Sequence, residues 1–159
     1  MLPLEKISVA IDFSEASRVA LAHAVELSRR LRADLTLVHV HPPLPPGDPL
    51  LPSSKGSASI ASAEEQLEAW RREAEREVEA PVRAKLLFGD AAGEVLRQAE
   101  LGACDLLVVG TRARPLVPRL LLGSVAERLV RESPCPVLVA HGRRAVERAE
   151  EADEAAQYR

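Results

Sequence analysis

An open, doubly wound parallel sheet of the α/β class, five strands with helices on both faces, is what this chain predicts from three observations. Short apolar runs at residues 6–12, 34–40, 82–88, 105–109 and 136–140 alternate with longer stretches of helical periodicity, an order of βαβαβαβαβ. The fourth run, Leu106-Leu107-Val108-Val109, is apolar at every position, as a strand covered on both faces should be. Acidic residues and glycines collect just after the runs, where a sheet of this kind receives its ligands.

At 159 residues the chain fits one domain, and its 47% of hydrophobic residues can bury a full core. Aromatic residues make up only 3%, so that core must be Leu, Val, Ala and Ile. A net charge of −3 excludes a nucleic-acid binder that relies on an overall basic field. No apolar run approaches the ~20 residues that span a bilayer, and the opening Met1 to Lys6 does not have the form of a signal peptide. The expectation is therefore a cytoplasmic protein with no membrane and no nucleic-acid partner. Cys104 and Cys135 show no metal spacing and each lies beside an apolar run, so they read as buried free thiols rather than a redox pair.

The elements follow in order. Residues 6–12 form a short buried strand ending on Asp12. Ser14 or Ser17 can cap the next helix, which runs to about Arg32 with Val19, Ala20, Ala24, Leu27 and Leu31 on one face. Residues 34–40 give a second strand, and the short connection implies a right-handed parallel crossover. Six of the twelve prolines then fall between Pro42 and Pro52, followed by a Ser/Gly-rich stretch. This predicts a long mobile loop over 42–59 within one domain, because no complete domain precedes it. A charged helix over 61–79 has Leu67, Trp70, Ala74 and Val78 as its apolar stripe, and its Glu/Arg run reads as a solvated face with i,i+4 pairs. A third strand at 82–88 leads through Gly89 and Asp90 into a helix carrying Val95, Leu96 and Ala99. The fourth strand, a helix over 124–132 and the fifth strand complete a domain of residues 1–142. The tail, 143–159, has helix propensity but almost no apolar stripe, and is expected to be frayed or disordered unless it docks on a partner.

The chemistry concentrates between residues 105 and 127. The fourth strand breaks at Gly110 into a basic loop containing Arg112, Ala113, Arg114, Pro115, Pro118 and Arg119, which closes on Gly123, Ser124 and a helix start. Glycine lets the backbone approach a phosphate, and N–H groups at a helix N-terminus meet its oxygens. The arginines add positive charge. On the other strand ends stand Asp12, then Val40 with His41, then Gly89 with Asp90. A purine could rest against Val40, with its ribose near Asp12 and its phosphates over 110–124. The chain has no Walker A loop, and Gly89 and Gly93 fit no G-x-G-x-x-G spacing. Taken alone, Gly110 with Gly123-Ser124 is equally a strand exit and a helix cap. Plainer roles are open elsewhere too: Asp12 as a helix cap, His39 as a core or supporting histidine, and His41 and His141 as solvated residues. Ser14 and Ser17 have no nearby base, and no Ser-His-Asp order, carboxylate pair or metal cluster can be argued from spacing.

Five segments together carry a resemblance: Ala10-Ile11-Asp12-Phe13-Ser14-Glu15-Ala16-Ser17; Leu37-Val38-His39-Val40; Asp105 to Thr111; Leu122-Gly123-Ser124-Val125-Ala126-Glu127-Arg128-Leu129-Val130; and Ser133-Pro134-Cys135-Pro136-Val137-Leu138-Val139. Over residues 5–141 the chain resembles the universal stress protein family. The resemblance implies a Rossmann-like sandwich of the adenine nucleotide alpha hydrolase-like type and a homodimer through the last strand, here Val137, Leu138, Val139 and Ala140. The ATP-binding branch of that family carries Gly, two residues, Gly, nine residues, then Gly-Ser/Thr. Here Gly110, Ala113, Gly123 and Ser124 hold those positions, so the spacing is intact and one glycine is replaced. By resemblance Asp12 contacts the ribose, Ile11 and Val40 the adenine, and Gly110, Gly123, Ser124 and Val125 the phosphates; Ala10, Arg112 and Ala113 complete the candidate set. A methyl at Ala113 costs on the order of 1 kcal/mol or more if the loop needs positive φ there. If the loop needs only close approach, the methyl pushes a phosphate outward.

The functional expectation is a stress-response protein that binds ATP or a related adenine nucleotide, with Mg²⁺ accompanying the phosphates, as a regulatory or sensor ligand with little or no turnover. Phosphates ordering the 110–124 loop would change the surface offered to a protein partner, whose identity the residues do not give. The alternative is a dimeric interaction module of the same family that binds no nucleotide, which Ala113 favours. A third class, an ATP-using enzyme of related topology, lacks an evident base or Walker-type lysine.

Overall fold

A computed structural model describes residues 4–43, 53–111 and 122–141. Five strands, β1 (Lys6–Ile11), β2 (Asp34–His41), β3 (Val82–Phe88), β4 (Leu106–Thr111) and β5 (Val137–His141), form one sheet in the order β3-β2-β1-β4-β5, with every pair parallel. This is the α/β class that the alternation of elements predicts. The strand order reverses between β1 and β4, the place where a doubly wound sheet opens a crevice beyond its strand C-termini.

Alternation along the strands sorts the core into two layers. Ile7, Val9 and Ile11 of β1, with Leu35, Leu37 and Val108, pack against α1 (Glu15–Leu31) and α2 (Ser53–Val78) through Ala20, Leu21, Ala24, Leu67 and Ala74. Leu107 and Val109, with Val38, pack on the opposite face against α3 (Ala91–Glu100) and α4 (Ser124–Glu132) through Val95, Leu96, Ala126 and Leu129. Each fully buried Leu or Ile contributes roughly 1.5–3 kcal/mol over its exposed state, so aliphatic side chains suffice where aromatics are scarce.

Three expectations change. Helix α2 starts at Ser53, so residues 53–59 belong to a helix and not to the 42–59 loop. Pro52 is the residue before it in sequence, where a missing N–H breaks no helical bond, and no proline follows until Pro81, so a helix anchored by Leu67 and Ala74 extends back through weak formers. β4 does not break at Gly110: the strand continues to Thr111, with Gly110 opposite Ala140 and Thr111 opposite His141 on β5. β2 likewise includes His41, which is buried and not solvated. Its Nδ1–H donates to the Pro42 carbonyl at 2.7 Å, and its Nε2 lies 3.0 Å from the Ser59 hydroxyl. The candidate residues Arg112 and Ala113, the other residues of the 112–121 loop, and the 143–159 tail lie outside the described residues.

Candidate functional site

The C-terminal end of β1 is held by a compact set of polar and aromatic contacts. Ser14 is the N-cap of α1, its side chain accepting the Ser17 N–H, which settles which of the two serines caps. The Asp12 carboxylate accepts the Ser14 N–H at 3.0 Å and also binds the Ser14 hydroxyl. Asp12 is therefore not the cap of α1 but holds the residue that is, and its side chain remains exposed on the rim. Phe13 follows in the left-handed region at φ 60, a conformation a bulky residue adopts only when its surroundings hold it. Its ring lies tilted against His39 with centroids 4.5 Å apart and meets Trp70 edge-on at 5.5 Å, and the Arg18 guanidinium lies 3.8 Å over Trp70. Arg18 also pairs with Glu73 at 2.7 Å. His39 donates from Nδ1 to the Ile11 carbonyl at 2.7 Å, which fixes the last peptide of β1. His39 is thus the supporting histidine expected. The sequence reading missed Phe13, whose one signal was being among only two phenylalanines, beside a strand-ending acid.

At β4 the glycine has a packing reason. A Cβ on Gly110 would fall 2.1 Å from the Ala16 carbonyl oxygen and 3.0 Å from the Ser17 nitrogen, so the first turn of α1 occupies the space a side chain would need. Beside it, the Thr111 hydroxyl lies 3.1 Å from His141 Nδ1, tying the ends of β4 and β5.

Helix α4 begins differently from α1 and α3. Gly123 is its N-cap and makes no side-chain capping bond, and among the described residues nothing lies within 4 Å of where a Cβ would stand. Gly123 and Ser124 are exposed, and Val125 is half-buried. The first N–H groups of a helix lack intrahelical partners and carry the positive end of its dipole, so such a start receives an anion well.

The two-layer core sorts the remaining candidates. Ala10, Val40 and Val125 border the layer under α3 and α4, on the face where α4 presents its open start. Ile11 points the other way: it is 4% exposed and packed in the layer under α1 and α2. Its side chain does not share a surface with Val40, and only its backbone faces the rim, with the carbonyl already taken by His39. The period of two shows this in the sequence, since Ile11 shares its parity with Ile7 and Val9. Among the described residues no group of three His, Cys, Asp or Glu side chains could hold a metal ion.

This geometry defines a doubly wound α/β protein whose switch-point rim combines a held acidic turn, a small apolar surface and an open helix start. A sequence profile of the universal stress protein family matches residues 3–141, and the chain belongs to that family. It is similar to a universal stress protein of Methanocaldococcus jannaschii, 32% identical over 142 residues that cover 85% of this chain and 81% of that one. A Thermus aquaticus universal stress protein is 33% identical over 136 residues, 84% of this chain and 96% of that one. Among solved structures, UspA of Lactobacillus plantarum superposes with a TM-score of 0.75 at 23% identity, covering 88% of this chain and 99% of that one. Two more share the fold at 22% identity: a universal stress protein in complex with cAMP (TM-score 0.65, covering 88% and 99%) and one from Archaeoglobus fulgidus in complex with dAMP (TM-score 0.63, covering 87% and 99%).

Proposed function

We propose that this chain binds ATP or a related adenine nucleotide at the β1–β4 rim as a regulatory ligand, with little or no turnover. The observation that carries the reading is the start of α4: an exposed glycine cap whose N–H groups meet no capping side chain among the described residues, on the same face as Ala10, Val40 and Val125. The nucleotide complexes of two fold relatives, with cAMP and dAMP, support an adenine ligand. In this reading Val40 and Ala10 contact the base, with the Ile11 backbone beside them, and Asp12 receives the ribose. Gly110, Gly123, Ser124 and Val125 hold the phosphates together with Arg112 and Ala113. Mg²⁺ would travel with the phosphates. Occupancy would then change, by population shift, the surface offered to a protein partner.

The same proposal takes residues 1–142 as one cytoplasmic domain with 143–159 as an appended charged tail. Among the described residues no helix is long and apolar enough to cross a membrane. The dimer surface in this reading is the edge of β5 that pairs with no other described strand, where Val137, Leu138 and Val139 are only half-buried and Ala140 is buried within the protomer.

Equilibrium dialysis of the purified protein against ATP, ADP, AMP and cAMP tests the ligand, with Mg²⁺ present or chelated. Saturable binding of at least one is expected, and no binding at millimolar nucleotide overturns the reading. That result would leave the second reading, a dimeric interaction module without nucleotide, which the alanine at position 113 favours.

A further inference from the structure

Cys104 stands in the turn before β4 and Cys135 in the turn before β5. Because β4 and β5 are hydrogen-bonded parallel neighbours, two thiols 31 positions apart in sequence meet at the N-terminal end of the strands, opposite the nucleotide rim. Their sulfurs are 3.7 Å apart. A disulfide needs about 2.0 Å, and both residues lie outside helix and strand, where side-chain rotation and a small backbone shift can close that gap.

The two thiols are not equivalent. Cys104 is 6% exposed among the aliphatic side chains under α3 and α4. Burial first, and the neighbouring sulfur second, push its pKa up to about 12. Such a thiol stays protonated and out of reach of an oxidant in solution. Cys135 is only half-buried, and its sulfur lies 3.5 Å from the Ser133 hydroxyl oxygen, which also accepts the Cys135 N–H at 3.3 Å.

We propose that Cys104 and Cys135 form a reversible disulfide within one chain when the protein meets a hydroperoxide, with Cys135 oxidised first and Cys104 closing the bridge. The Cys135 thiolate attacks one peroxide oxygen; an S–O bond forms, the O–O bond breaks, and the other oxygen leaves as alkoxide or hydroxide and takes a proton. The product is a Cys135 sulfenic acid. The Cys104 sulfur then attacks the Cys135 sulfur as it gives up its proton, the S–O bond breaks, and the hydroxyl leaves with that proton as water. Two thiols lose two electrons and two hydrogens, and the peroxide is reduced to an alcohol or water. The less buried thiol thus meets the oxidant, and the buried one waits for the electrophile formed beside it.

The position of the bridge gives it a consequence. It ties the foot of β4 to the foot of β5 and encloses β4, the connection to α4, and α4 itself, the unit bearing Gly110, Gly123, Ser124 and Val125. Oxidation cross-links that unit at its base whether or not a nucleotide binds.

The experiment treats the full chain with hydrogen peroxide and titrates thiols after denaturation. Both thiols should disappear, the intact mass should fall by two hydrogens, and a non-reducing gel should show no covalent dimer. Tryptic digestion should yield the peptide beginning at Gln98 joined to that beginning at Glu132, and dithiothreitol should reverse each change. A bridge between chains overturns the proposal, as does a surviving Cys104 thiol with Cys135 carried to sulfinic or sulfonic acid. In a Cys135→Ser variant shown to be folded by circular dichroism, Cys104 should survive the same peroxide dose. Its oxidation there at the wild-type rate would overturn the assigned order.

Discussion

Helices α3 and α4 lie on the same face of the sheet and both start at its rim, yet their first turns are built in opposite ways. At α3 the chain supplies its own cap: Asp90 Oδ2 accepts the Gly93 N–H at 2.8 Å, and Arg128 reaches across from α4 to the same oxygen at 2.6 Å. The cap carboxylate sits so close that a Cβ at Gly93 would stand 2.9 Å from it. At α4, among the described residues, there is no side-chain cap and open space around Gly123. Ser14 caps α1 in the same way, so among the described residues α4 is the start, of these three, where an external anion would displace no side chain.

The two glycines of the motif sharpen the contrast. Gly110→Ala should give the largest effect of all. Its methyl meets the Ala16 carbonyl, backbone that cannot rotate away, so α1 must shift; a loss of about 3 kcal/mol or more in urea unfolding is expected. An unchanged midpoint would mean that the close approach of α1 to β4 is not obligatory. Gly123→Asp is the converse case. The backbone there, at φ −59 and ψ 154, suits a capping side chain, so stability should hold or rise slightly. The new carboxylate would occupy the anion position, and nucleotide affinity should fall at least tenfold, about 1.4 kcal/mol, by calorimetric titration. Undiminished affinity would remove α4 from the proposed site.

Much of this was legible before any coordinates. The short apolar runs placed all five strands within about two residues, because a strand covered on both faces reads as a near-continuous apolar stretch. Asp12, Val40 and Gly123 were legible as rim residues, since the first two stand at the ends of strands and Gly123 directly precedes a helix, in elements whose direction the alternation sets. What the residues could not show was tertiary. Gly110 read as a phosphate-approach glycine, but its missing side chain makes room for α1, a neighbour nearly a hundred positions away. Cys104 and Cys135 read as unrelated thiols because their proximity follows from the pairing of β4 with β5. The start of α2 was hidden by composition: Ser and Gly are weak helix formers, and downstream packing overrode them. The direction of Ile11 was available in its parity with Ile7 and Val9, and was masked by the motif it sits in.

The smallest effect belongs to the capped helix, and it separates the two starts by pH. Asp90→Ala removes the α3 cap and the partner of Arg128, and should lower the melting temperature by a few degrees at neutral pH. Nucleotide affinity should be unchanged, because this cap belongs to the chain and not to a ligand. The Gly93 N–H, with Arg128 behind it, holds the Asp90 carboxyl below its ordinary value of 3.8. The folded protein therefore prefers the ionised form more strongly than the unfolded chain does. That preference is fully present above the unfolded value and is lost as pH falls through the lower folded one. The stability gap between wild type and Asp90→Ala should accordingly be constant from neutral pH down to about 4 and narrow on further acidification, as the cap is protonated. A gap that stays constant into strong acid would show that Asp90 acts at α3 by shape and not by charge. The contrast with α4 would then rest on occupancy of the cap position alone.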